Sequence, residues 1–166
     1  MKILIAMNSF KGSISAVDAT DACFMAMKQV LPDAIIRLCP VSDGGDGLID
    51  VLLRAFGGKV HFKKVTGPLF KPVLARYLML GKTAVLEMSE AAGIKYLDPS
   101  ELDCMNATSF GVGEVIKDAV LHGAGRILVG LGGSASNDAG IGCARGFGFR
   151  LLDKSGQEIS GGIKGL

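Results

Sequence analysis

Residues 126–140 read R-I-L-V-G-L-G-G-S-A-S-N-D-A-G, and this stretch decides the fold. Ile127-Leu128-Val129 is a short apolar run, rich in β-branched residues, of the kind that forms a buried strand. It leads into Gly130, Gly132 and Gly133, then Ser134, Ser136, Asn137 and Asp138. Glycines let the backbone take positive φ and turn several N–H groups toward one point. The short polar side chains add contacts, and Asp138 adds a carboxylate able to hold a metal. A strand emptying into such a loop is how α/β proteins build phosphate sites. A glycine-rich turn that only reverses the chain accounts for this loop equally well, so its neighbours must decide.

Upstream, Ala107-Thr108-Ser109-Phe110-Gly111 leads into a helix whose apolar stripe is Val112, Val115, Ile116 and Ala119, closed by Gly123-Ala124-Gly125. Downstream, a Gly/Ala-rich helix is expected from about Ala139 to Gly146, then a strand over Phe149–Leu152 and a turn over Asp153–Gly156. The final S-G-G-I-K-G-L belongs to no element and has the look of a chain cut within a loop. At the other end, Lys2–Met7 reads as a buried strand. The polar turn Asn8–Ser13 follows, and then a helix from about Ser15, where Ser15 and Asp18 form a capping pair and Pro32 stops the run. Ala34–Val41 is a second strand, Ser42–Gly47 a second glycine-rich loop, and Leu48–Phe56 a helix closed by Gly57-Gly58. This β-α-β-α opening is doubly wound and Rossmann-like. Near Lys59 the character changes. Lys59–Thr66, Val73–Leu80 and Thr83–Met88 form an antiparallel meander with a hairpin at Gly81-Lys82. The expected fold is therefore α/β. Residues 1–62 supply an incomplete Rossmann-like first domain, and residues 63–166 a second, mixed α/β domain that is itself truncated.

Composition narrows the function. The chain has 166 residues, 49% apolar and 20% charged, enough to bury a core. Its 24 glycines are about twice the average share, and many end apolar runs. Net charge is +2 with no basic block, which argues against nucleic acid as a partner. No apolar run approaches a membrane span and no secretory leader is legible, so a cytoplasmic protein is expected. Cys23, Cys39, Cys104 and Cys143 lack metal-site spacing and read as buried free thiols. His122 falls at a helix end, and His61 sits among Lys59, Lys63 and Lys64 on an expected solvated face. Two such histidines make a Ser-His-Asp hydrolase or a zinc enzyme a poor reading. Gly81-Lys82-Thr83 resembles the end of a P-loop, but Arg76 stands where that motif needs glycine.

Three loops thus share one design: Asn8–Ser13, Ser42–Gly47 and Gly132–Gly140. Lys11, flanked by Ser9, Phe10, Gly12 and Ser13 and preceding a helix, is placed as a point charge on a phosphate or carboxylate; a solvated lysine is its plain alternative. Asp43 and Asp46 flank Gly44 and Gly45 and suit Mg²⁺ binding or proton acceptance, against turn chemistry and helix capping by Asp46. Asp138 carries the same two readings. Thr108 and Ser109 precede a helix N-terminus that suits a small carboxylate, although capping explains them as well. Gly132, Gly133, Ser134 and Asn137 are the candidate substrate or phosphate contacts of the third loop. Acid-and-glycine loops without histidine or thiolate chemistry suit phosphoryl transfer, where positioning and charge stabilisation do most of the catalysis.

In this order the segments resemble the glycerate kinase family that includes the bacterial glycerate 2-kinases. The segments that match are Asn8–Ser13, Pro40–Gly47, Val65–Pro68, Thr108–Glu114 and Gly130–Asp138. Asn8 stands where that family usually has Asp, Asp46 where it has Glu, and Ala139 where it has Gly; an amide at Asn8 binds a metal or takes a proton less well than a carboxylate. The resemblance implies ATP- and Mg²⁺-dependent phosphorylation of D-glycerate by a two-domain α/β protein with its site in the interdomain cleft. It further implies that one domain is built from both ends of a longer chain, of which this is the N-terminal part. An unfinished sheet edge then offers a route to association, as a homodimer or with another partner. Two alternatives stay open. One is a kinase of galactokinase–homoserine kinase type, whose phosphate loop reads Gly-Leu-Gly-x-Ser-Ser-Ala; the other is a non-catalytic fragment needing a partner or the missing C-terminal half.

Overall fold

The computed structural model describes residues 1–159. β1 (Lys2–Ile5) and β2 (Ile35–Leu38) pair in parallel, with Lys2 opposite Ile35 and Ile5 opposite Leu38, joined by α1 (Ala16–Val30). Ser15 caps α1 as its spacing predicts. Its Oγ accepts the Asp18 N–H (3.1 Å) and donates to the Asp18 carboxylate (2.7 Å). β2 is shorter than the expected Ala34–Val41. Its partnership with the first strand continues as single bonds, Cys39 N–H to the Ile5 carbonyl and Val41 N–H to that of Met7, around Pro40, which has no N–H to give.

α2 (Leu48–Phe56) follows, and its end is closed by the Gly57 N–H on the Leu53 carbonyl. β3 (Lys59–Thr66), β4 (Pro72–Leu80) and β5 (Thr83–Glu87) form the expected antiparallel meander. Ile127-Leu128-Val129 lie on β6 (Arg126–Gly130). It lies parallel to β5, giving a mixed sheet of order β3-β4-β5-β6. Between those two parallel strands run α3 (Met88–Ala92), two 3₁₀ turns at Ile94–Tyr96 and Pro99–Glu101, and α4 (Phe110–Leu121); α5 (Ile141–Phe147) comes last. β3 is continuous from Lys59 to Thr66, so the expected division after residue 62 falls inside a strand. No strand forms over Phe149–Leu152. Only a Leu152–Glu158 bridge is present, beyond which the Asp153 carboxylate gathers the Ser155 and Gln157 N–H groups into the predicted turn. The closing S-G-G-I-K-G-L lies outside the described residues.

The pleat explains the core. Along β4, Ala75, Tyr77 and Met79 face one way; along β5, so do Ala84 and Leu86, and all pack with Val112, Val115 and Ala119 of α4 and Ala91 and Ala92 of α3. Leu78 and Val85, on the opposite face, pack with fully buried Ile49 of α2. The centre of the sheet is therefore covered on both sides, which is why β4 and β5 are almost wholly apolar. The same alternation sends Arg76 of β4 and Glu87 of β5 to the α2 side.

Two expectations about single residues change. His61 is half-buried rather than solvated: its ring stacks on Tyr77 (5.1 Å between centroids) and meets His122 edge-on (4.7 Å). The four cysteines are free, but Cys39 and Cys104 are exposed, not buried.

Candidate active site

Two of the three glycine loops and the head of the third line one cavity of about 700 Å³. Asn8–Ser13 supplies Ser9, Lys11, Gly12 and Ser13; Ser42–Gly47 supplies Asp43, Gly45 and Asp46; the third loop supplies Gly132 and Gly133. The glycines permit this convergence. A Cβ on Gly132 would meet the Gly45 Cα at 2.5 Å, and one on Gly130 would overlap the Gly44 carbonyl oxygen. Asp43 is exposed, and one of its oxygens accepts the Gly45 N–H (3.0 Å). Asp46 is also exposed. It does not cap α2, as its position suggested; Gly47 occupies the cap in the left-handed region (φ 89°). The capping is done from 40 residues away by Glu87, which accepts the N–H groups of Gly47 (3.1 Å) and Ile49 (2.7 Å). Burial pushes the Glu87 carboxyl up, against the two N–H groups that favour its charged form.

The rest of the wall was not legible as a motif. Arg76 forks onto both oxygens of Asp50 (2.7 and 2.8 Å), and its Nε approaches Glu90 (3.4 Å). The Asp50 carboxylate keeps the guanidinium firmly charged. Glu90 is 7% exposed and also receives the Lys95 ammonium at 2.8 Å. Burial acts to lower the Lys95 pKa, but the hydrogen bond and charge of Glu90 outweigh it and raise it. Lys95 is tied to the third loop through the backbone beside it: Ile94 N–H binds the Gly133 carbonyl (2.8 Å), and Ala135 N–H that of Ala92 (2.8 Å). Arg76, Glu87, Glu90 and Lys95 all line the cavity.

A model of the glycerate kinase family matches residues 3–166. The chain belongs to the glycerate kinase family. It is 44% identical over 164 residues to a glycerate kinase of Bacillus subtilis (strain 168), covering 98% of this chain and 43% of that protein. To a glycerate 2-kinase of Escherichia coli (strain K12) it is 39% identical, with the same coverage on both sides. A crystal structure from Salmonella typhimurium LT2, bearing the provisional name glycerate kinase 2, superposes with a TM-score of 0.84 at 38% identity, over 99% of this chain and 45% of the other. The chain thus spans less than half the length of these relatives, and the galactokinase–homoserine kinase alternative falls away.

The remaining candidates lie elsewhere in the chain. Asp138 is 3% exposed, and its oxygens accept the Ser109 N–H (2.8 Å), the Ser109 hydroxyl (2.9 Å) and the Gly140 and Gly142 N–H groups (both 3.1 Å). Thr108 Oγ1 lies 3.4 Å from the same carboxylate and accepts the Phe110 N–H (3.1 Å). Thr108, Ser109 and Asp138 therefore form a closed internal knot joining the starts of α4 and α5, apart from the residues that line the cavity. Expected as a metal ligand, Asp138 is already saturated by protein donors. Ser134 and Asn137 are exposed, and the Ser134 hydroxyl turns to Ser136 (3.2 Å). Gly44 backs the cavity rather than lining it. Among the described residues no group of three or more His, Cys, Asp or Glu is disposed to hold a metal, and no helix is long and apolar enough to cross a membrane.

Proposed function

We propose that the whole polypeptide carrying this chain is a glycerate kinase, an ATP-dependent phosphotransferase that passes the γ-phosphoryl group to a hydroxyl of D-glycerate and yields phosphoglycerate. The observation that carries this reading is the meeting of the Asn8–Ser13, Ser42–Gly47 and Gly132–Gly133 loops at one cavity whose wall holds Arg76 and Lys95. Phosphoryl transfer asks chiefly for positioned charge. Lys11, at the rim, would neutralise a phosphate or carboxylate oxygen; the N–H groups of Gly12, Gly132 and Gly133, with the Ser9 and Ser13 side chains beside them, would orient the reactants, and Gly44 and Gly45 would shape the loop that carries Asp43. Asp43 or Asp46 would accept the proton of the attacking hydroxyl.

Mg²⁺ fits this donor set, because one or two carboxylates beside substrate phosphates are its usual protein ligands. Asp43 would hold it; its second carboxylate oxygen accepts none of the hydrogen bonds described above. Bound there, the ion would neutralise charge on the nucleotide phosphates. For the architecture, we read β1-α1-β2 as the opening of a Rossmann-like domain completed by a later segment of the polypeptide. The four-stranded sheet would then be the second domain, divided from the first ahead of β3 at Gly57-Gly58. A cytoplasmic location accords with this chemistry. The test is ADP release by the whole polypeptide in the presence of ATP, Mg²⁺ and D-glycerate. ADP formation that depends on glycerate is expected, and its absence sinks the reading.

A further inference from the structure

Three cations line the cavity: Lys11, Arg76 and Lys95. They are not equivalent. Both terminal nitrogens of Arg76 are bound to Asp50 and its Nε lies beside Glu90, so its charge is matched by two carboxylates. Lys95 has one carboxylate partner, Glu90, reached by one of its three N–H donors. Its position is set independently by its surroundings. The segment carrying it pairs main chain to main chain with the third loop through Ile94–Gly133, the Gly93–Ser134 bridge and Ala135–Ala92. The Tyr96 hydroxyl, next in sequence, donates to the Glu90 carbonyl (2.9 Å), so the residue that anchors the ammonium is itself fixed. Glu90 is buried, and its Oε1 takes both the Arg76 Nε and the Lys95 ammonium. A long, flexible lysine held this way has little rotamer freedom left to lose on meeting a ligand.

Resting on the kinase reading above, we propose that Lys95 is a second anion-binding residue of the cavity. Its free N–H donors face an oxyanion of a bound reactant, and buried Glu90 is its positioning residue. The oxyanion is either the acceptor's carboxylate or a nucleotide phosphate, since both offer the same acceptor chemistry. The raised pKa that Glu90 confers keeps Lys95 charged throughout the neutral range.

The test uses the whole polypeptide with Lys95→Met, Lys95→Arg and Glu90→Gln. Lys95→Met is expected to raise the KM of one reactant by about tenfold to a hundredfold, the range of one charge-assisted hydrogen bond. A rise for D-glycerate assigns the carboxylate, and a rise for ATP assigns the phosphate. Lys95→Arg should recover most of the loss. In Glu90→Gln the alkaline limb of kcat/KM should move to lower pH, because Lys95 loses the carboxylate that raises its pKa; a purely structural role for Glu90 would leave that limb in place. Unchanged KM values in Lys95→Met overturn the proposal while the kinase reading stands. A second arm needs no turnover: inorganic pyrophosphate should raise the melting temperature of the wild type and raise that of Lys95→Met markedly less. Equal stabilisation of the two proteins, in a wild type without glycerate turnover, overturns both the proposal and the kinase reading.

Discussion

At the scale of single residues, two aspartates with the same sequence context have parted company. Asp43 and Asp138 both follow a strand and stand among glycines, yet one lies open on the cavity and the other is enclosed by four donors. Asp138→Ala is therefore expected to lose about 3 kcal/mol of stability, as buried donors are stranded, and to show it in urea denaturation. Asp43→Asn should leave the urea midpoint nearly unchanged while lowering kcat of the whole polypeptide at least about a hundredfold. A result with the two swapped would reverse the assignment. Lys11, Asp43 and Asp46 were legible because chemistry sits beside glycine at strand ends. Arg76, Glu87, Glu90 and Lys95 were not. They lie within strands, in a five-residue helix or in a 3₁₀ turn, and pairings such as Arg76–Asp50 and Glu87–Gly47, across 26 and 40 positions, bring this wall together.

At the scale of elements, periodicity was a reliable guide to the long pieces and a poor one to the short. The capped α1, the meander and α4 follow from spacing alone, whereas α3 is too brief to show a helical stripe, and Phe149–Leu152 pairs among the described residues only through a short bridge around Leu152 and Glu158. Packing also overrides propensity where α4 meets α5. Alanine is the better helix former by about 1 kcal/mol, yet a Cβ on Gly113 would overlap the Cys143 carbonyl, and one on Gly146 that of Phe110. Gly113→Ala should accordingly cost about 2 kcal/mol net, read by thermal or urea unfolding, whereas Gly125→Ala, with open space around it, should stay within about 0.5 kcal/mol. The His61–Tyr77–His122 stack between β3, β4 and α4 adds a pH dependence. Burial, then the neighbouring His122, lowers the His61 pKa, so the unfolded chain takes up its proton first. Stability from this ring is present above its ordinary pKa and is lost as pH falls through the lowered one. His61→Phe should flatten the decline in unfolding free energy between about pH 7 and pH 5. Asp118, which burial tends to raise but Lys63 and Tyr77 hold low, contributes its own loss only further into acid.

At the scale of the whole molecule, the two sheets differ in how well they are clothed. The centre of the four-stranded sheet is covered on both faces, while around the β1–β2 pair Leu4 is 65% exposed, Ile35 59% and Val30 77%. If later residues of the polypeptide complete that pair, the 166-residue chain alone should enhance the fluorescence of a hydrophobic dye, and the whole polypeptide should do so far less. Equal enhancement by both would count against a first domain shared between the two ends. Arg76 and Glu87 share the α2-facing side of the pleat with Leu78 and Val85, so the strand's reading frame doubles as the cavity's wiring. Exposed Leu74 should tolerate many replacements in a mutational scan. A single inserted codon between Val73 and Arg76 should not be tolerated, because it exchanges a cavity cation for a core side chain at one stroke.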